Sequence, residues 1–203
     1  AIGGIEFVLC HMASPIRELL EAKRFSAAEG ELFEPEADTW ADPERARGGY
    51  GLAQMSHSAG MAFWITGLRP AAAWALISAP TSRVELYDAI AAEFEDGAIG
   101  TFSGAGAVPR DRGFQLDLRV FGSEGLLILD CDRARLEVQR HDGDHFIMDI
   151  EPGAGEYTCE GPPANFVDLI LGRTNVNHAP GWAGMRAIEL LDQVGIPSPA
   201  DRI

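Results

Sequence analysis

Between residues 84 and 150 the chain alternates apolar and polar side chains in short runs, and nearly every run ends on a turn signal. Residues 84–95 lead into Asp96-Gly97, and residues 98–107 follow. An Asp-Gly pair supplies the positive φ that a two-residue hairpin loop needs. In residues 114–121, Phe114, Leu116, Leu118 and Val120 face one way, while Gln115, Asp117 and Arg119 face the other. Gly122-Ser123-Glu124-Gly125 then turns the chain into residues 126–129. Residues 133–140 alternate again, Asp142-Gly143 makes another turn, and residues 145–150 pair back. Strands linked in this unbroken way bury their apolar sides in one large, predominantly antiparallel sheet.

The flanks supply helices. Residues 2–10 read as a strand. Ser14-Pro15 resembles a helix start, serine as cap and proline in the first turn, leading into residues 16–22. Residues 24–47 are acidic and without a period. Residues 49–66 read as a helix stopped by Gly67 and Pro70, and residues 71–79 as a strand. Near the end, Phe166, Leu169 and Ile170 recur at helical spacing within 162–171. Met185, Ile188, Leu191 and Val194 do so within 183–194. The expected fold class is α+β: an open, predominantly antiparallel β-sheet with helices packed on one face. With 203 residues, 46% of them hydrophobic, the chain holds one full core and is expected to be a single domain over 1–203.

Charge and cysteines narrow the function. The formal net charge is −15, and the lysines and arginines are scattered. A nucleic acid or an anionic membrane would be repelled, so neither is an expected partner. Cys10, Cys131 and Cys159 are widely spaced and form no CxxC pair, which fits a reduced, cytoplasmic protein with no zinc site. No apolar stretch is long enough to span a bilayer. The opening AIGGIEFVLC has no basic region or cleavage pattern of a signal peptide. It enters a strand at once and lacks methionine, as a piece cut from a longer protein would.

Several motifs look chemical and fail on context. Gly104-Ala105-Gly106 and Gly153-Ala154-Gly155 do not open a helix, so neither matches the glycine-rich loop that cradles a dinucleotide pyrophosphate. His141-Asp142-Gly143-Asp144-His145 reads as a hairpin tip with side chains in solvent, and no metal is expected there. Asp130-Cys131-Asp132 reads as a strand end and turn.

One titratable group stands out. Gly48-Gly49 opens the helical run 49–66, and His57 lies on it among small and apolar residues. Ala53, Gln54, Gly60, Met61 and Trp64 share its face at three- and four-residue spacing, or one turn beyond. A neutral imidazole there can take or lend a proton near neutral pH. It can equally be a boundary histidine with both ring nitrogens satisfied. His11, after the first strand, and Arg17, in the first helix, are further polar candidates.

These segments together resemble the C-terminal domain of the Gfo/Idh/MocA family of NAD(P)-dependent oxidoreductases. Four stretches carry the resemblance: the strand Ile2-Gly3-Gly4-Ile5-Glu6-Phe7-Val8; the run from Gly48-Gly49 through His57 to Trp64-Ile65-Thr66-Gly67; Phe94-Glu95-Asp96-Gly97-Ala98-Ile99-Gly100 with Val120-Phe121-Gly122-Ser123-Glu124-Gly125-Leu126-Leu127; and Asn165-Phe166-Val167-Asp168-Leu169-Ile170 with Ala187-Ile188-Glu189-Leu190-Leu191. The resemblance implies an N-terminal Rossmann domain, absent from these residues, that binds most of the NAD or NADP. It implies that this domain supplies the open sheet, much of the substrate pocket and the homo-oligomer interface on the open sheet face. His57 matches the family's catalytic histidine, an acid/base at the substrate hydroxyl, with Gln54, Ala53, His11 and Arg17 as substrate-binding candidates. Two departures stand beside it. Many members carry an aspartate where this chain has Ala53, and the arginine often found after the loop tryptophan is replaced, since Trp40 precedes Ala41. The expected function is thus the substrate and oligomerisation domain of an oxidoreductase acting on a sugar-like or polyhydroxy small molecule, the fragment alone being inactive. The alternative is a non-catalytic dimerisation or ligand-binding module.

Overall fold

The computed structural model describes residues 1–23, 36, 38–151 and 160–195. The strands are β1 (Ile5–Ala13), β2 (Pro70–Ser78), β3 (Tyr87–Phe94), β4 (Ile99–Ala105), β5 (Gln115–Gly122), β6 (Gly125–Asp130), β7 (Arg135–Arg140) and β8 (His145–Met148). They form one eight-stranded sheet in the order β2-β3-β4-β1-β5-β6-β7-β8. Neighbours are antiparallel except β1 and β4, which run parallel. The hairpin signals lie where the strands reverse. At the β3–β4 turn Gly97 has φ +88°, and the Asp96 carboxylate accepts from the Ala98 N–H at 3.2 Å.

The two faces of the sheet differ. On one face Val8, Cys10 and Met12 of β1 lie in register with Val120, Leu118 and Leu116 of β5 and with Gly100, Phe102 and Gly104 of β4. This face is covered by α4 (Ser56–Thr66) and α6 (Gly181–Gln193), which bury Ala59, Ala62, Phe63, Ala187, Leu190 and Leu191. Phe63, Phe94 and Phe102 meet tilted or edge-on, with ring centroids 5.7–6.4 Å apart. Such pairs add about 0.5–1.5 kcal/mol each to the area they bury. The opposite face leaves Trp74, Leu76 and Ile99 at 58%, 81% and 51% exposed. Helix α5 (Gly161–Ile170) has no buried residue, and its Phe166 and Ile170 are exposed.

The N-terminal third differs from the sequence expectation. The helix over 16–22 shrinks to α1 (Arg17–Leu20), whose cap position is Ile16 with no side-chain bond. Ser14 instead lies buried and donates from Oγ to the Tyr50 hydroxyl at 3.1 Å. Tyr50 is fully buried, and a buried phenol needs a partner. Part of the irregular stretch is helical: α2 (Asp38–Ala41) and α3 (Pro43–Ala46). Asp42 caps α3 by accepting from the Glu44 N–H at 2.8 Å, with Pro43 in the first helical position. Residues 24–35 and 37 of that stretch lie outside the described residues. No helix among the described residues is long and apolar enough to cross a membrane.

Glycine is required where backbones nearly touch. A Cβ on Gly49 would lie 2.2 Å from the Glu85 carbonyl oxygen and 2.7 Å from its nitrogen. A Cβ on Gly184, in α6, meets nothing within 4 Å. Gly49→Ala should therefore destabilise by about 2 kcal/mol or more, since backbone must shift. Gly184→Ala should stabilise by up to about 1 kcal/mol through helix propensity. Thermal melts of the two variants should move in opposite directions; a Gly49→Ala chain that melts with the wild type would refute the close approach.

Candidate functional site

The run expected as one helix over 49–66 has two parts. Gly51–Met55 winds as a π-helical turn, and α4 continues from Ser56 without a break. A π turn inserts one extra residue per turn, weakens the local hydrogen-bond geometry and recurs at functional sites.

The start of this turn is docked on the segment before β3. The Gly49 N–H donates to Glu85 Oε1 at 2.6 Å, and the Tyr50 N–H donates to the Glu85 carbonyl at 2.9 Å. Glu85 is 4% exposed, so its carboxylate caps the helix start from inside the protein. Burial raises the Glu85 pKa, while the backbone N–H groups of Gly49 and Gly51 act to lower it. From below, Gly104 of β4 makes room: a Cβ there would lie 2.7 Å from both Met55 Sδ and the Tyr50 ring.

This scaffold presents Ala53, Gln54 and His57 together. Ala53 and Gln54 are half-buried on the π turn, and His57 is exposed as the second residue of α4. Although the side chain reaches solvent, surrounding protein desolvates the imidazole and lowers its pKa from the ordinary value. Farther along the same face, Trp64 is 45% exposed, with the His178 ring edge-on at 6.4 Å.

The other two candidates lie elsewhere. His11 alternates with Cys10 and Met12 and so projects from the opposite, open face of the sheet. Its Nδ1 is 2.8 Å from Ser103 Oγ on β4. There it lines an open cavity of about 780 Å³ with Tyr87, Arg112, Gln115 and Asp132. Arg17 is engaged in structure. Its Nε bonds Glu21 at 2.9 Å and its Nη2 bonds Thr81 Oγ1 at 3.0 Å. Hydrogen bonds from Lys23, Thr81 and Arg17 hold the Glu21 carboxyl down to about 2. The geometry therefore groups Ala53, Gln54 and His57, and separates His11 and Arg17 from them.

Sequence reasoning missed the acids beneath this site, Glu85 and Asp88. Asp88 shares its parity with Ile90, Ala92 and Phe94, and that alternation was the available signal that it faces the core. Burial disfavours the thiolate of the two described cysteines, pushing the Cys10 thiol up to about 12 and raising Cys131, and Cys159 lies outside the described residues. Among the described residues no group of three or more His, Cys, Asp or Glu side chains is placed to hold a metal ion.

The model of the GFO/IDH/MocA C-terminal domain matches residues 9–128, from β1 to β6 and through the π turn and α4. The chain belongs to the Gfo/Idh/MocA family of oxidoreductases. No curated protein matches it in sequence. Levoglucosan dehydrogenase in complex with NADH and L-sorbose superposes with a TM-score of 0.70 at 14% identity, over 98% of this chain and 61% of that one. GenD2 from gentamicin A biosynthesis, in complex with NAD, does so with a TM-score of 0.64 at 21% identity, over 99% and 55%. UDP-N-acetylglucosamine 3-dehydrogenase GnnA from Acidithiobacillus ferrooxidans gives 0.63 at 14%, over 96% and 55%. At such identities the likeness is one of fold. This Gfo/Idh/MocA domain spans 55–61% of the length of these three proteins.

Because desolvation is what lowers the His57 pKa, its imidazole should be largely neutral at pH 7. An NMR titration of its ring protons should give a midpoint below the ordinary 6.5. A midpoint above that value would show that the ring is not desolvated as described.

Proposed function

We propose that this chain is the substrate-binding and oligomerisation domain of a cytoplasmic NAD(P)-dependent dehydrogenase that acts on a sugar-like or polyhydroxy small molecule. The observation that carries the reading is His57 itself, exposed and desolvated directly after a π turn, inside the segment that matches the family. A neutral imidazole takes the proton of a substrate hydroxyl as that carbon is oxidised, and returns it in the reverse direction. Gln54, beside it, offers an amide donor and acceptor to a neighbouring hydroxyl. Ala53 offers neither, so the pocket differs from those members that place a carboxylate there.

Gly104 and Gly106 do not form a dinucleotide-binding loop. Gly104 and Gly106 lie against Tyr50 and Leu86 side chains, and no helix opens after them. The hydride carrier would be held by an N-terminal dinucleotide-binding domain outside these 203 residues. The part that falls to this chain is the proton. Two apolar surfaces suit a domain that works against other protein: the open face with Trp74, Leu76 and Ile99, and the outer side of α5 with Phe166 and Ile170. The first suits a second copy of the chain.

Ala53 is the feature that favours the rival, a non-catalytic dimerisation or ligand-binding module. Substitution separates the two. In a full-length protein that carries this domain, His57→Ala should lower kcat by roughly 10²-fold while leaving the melting temperature nearly unchanged. The wild-type preparation should give at least a dimer mass by light scattering. Oxidation should slow as pH falls through the lowered His57 pKa, because the imidazolium cannot accept a proton. A folded His57→Ala enzyme with wild-type turnover would overturn the reading.

A further inference from the structure

Asp88 of β3 faces the helix layer, in phase with Ile90, Ala92 and Phe94. It is 3% exposed, and neither carboxylate oxygen has a hydrogen-bond partner among the described residues. An ionised carboxylate in that position is costly, whereas the neutral acid is tolerated. Each element around it can be named. β2 presents Ile77 at its register position, and β4 presents Gly104. The entry to the π turn presents Tyr50, whose hydroxyl is taken by Ser14. The segment before β3 presents Glu85, which is the charged group acting on Asp88.

The two acids differ in what holds them. Glu85 accepts N–H groups at the start of the π turn, an arrangement that favours the anion. Asp88 accepts none, and burial, then the Glu85 charge, push it up to about 7. β3 itself is tied on both sides by β2 and β4. Of the groups named, Tyr50 and Glu85 lie outside the strands, and both belong to the docked start of the π turn.

We infer that Asp88 is a positioning residue, holding the π turn as a neutral acid while the Glu85 carboxyl caps the same turn, so that the placement of Ala53, Gln54 and His57 depends on one buried proton. The sign follows from linkage. The Asp88 pKa is raised in the folded chain from its ordinary 3.8 to about 7. Its contribution is full below about pH 3.8, is lost as pH rises toward 7, and is constant above that. A consequence for turnover rests on the reading of His57 given above; the consequence for the turn does not.

Hydrogen exchange on the 203-residue chain tests this without any activity measurement. Amide protection over residues 51–57, corrected for intrinsic rates and referenced to β1 and β5 amides, should fall more than about tenfold between pH 5.5 and 7.5. In Asp88→Asn that fall should vanish. In Glu85→Gln, which removes the neighbouring charge, it should shrink and level off at lower pH. A ¹³C titration of the Asp88 carboxyl in the unsubstituted chain needs no variant to fold and should show a midpoint near 7. An Asp88 midpoint in the ordinary carboxylate range, a turn whose protection ignores pH, or an undiminished fall in Asp88→Asn would overturn the inference. Failure of the His57 reading would appear separately, as unchanged turnover in His57→Ala with the exchange behaviour intact.

Discussion

The approach of Gly49 to the backbone of Glu85 sets the rest of the site. At that distance no side chain fits on residue 49, and the Gly49 N–H is delivered directly to a buried carboxylate. The contact ties the entry of a helix to the segment that leads into β3, and it fixes the height of Tyr50 and Met55 above Gly104. From there the chain has one course, through a π turn and into α4, whose Phe63 completes the aromatic centre of the core. The exposed histidine is thus carried on a buried, hydrogen-bonded base, as the proton transfer proposed for it requires.

The sheet divides the chemistry in two. Its covered face is a packed core with an acid pair at one end, and its open face carries apolar side chains that the described residues leave uncovered. The separation of His11 from His57 follows from strand alternation alone, since His11 has odd parity and the core residues of β1 have even parity. One molecule therefore does not contact both histidines across the sheet. The cavity at His11 and the turn at His57 are separate places, and the family match over residues 9–128 spans both.

Much of the sheet was legible because hairpins are local. Asp96-Gly97, Gly122 to Gly125 and Asp142-Gly143 each mark a reversal that the structure contains. The parallel pairing of β1 with β4 was not legible, because a crossover of that length leaves no mark on neighbouring residues. The π turn escaped for a related reason: one extra residue in a helix hardly disturbs a 3.6-residue pattern made of Gly, Ala and Met. Ser14 looked like a cap because serine before proline usually is one, and the buried Tyr50 hydroxyl claimed it instead. His57, Gln54 and Ala53 were legible as neighbours from helical spacing. The Glu21 partner of Arg17 stands at readable i,i+4 spacing, whereas its second partner, Thr81, comes from a distant loop and was not legible.

The central claim is that the π turn and His57 face the reacting carbon. It is tested most directly by a crystal structure of a full-length protein carrying this domain with NADH bound. The account predicts that the nicotinamide ring faces His57 and Gln54 across a cleft, with room for one small molecule between them. A nicotinamide lying over the open sheet face near His11 and Ser103, or remote from α4 altogether, would contradict it.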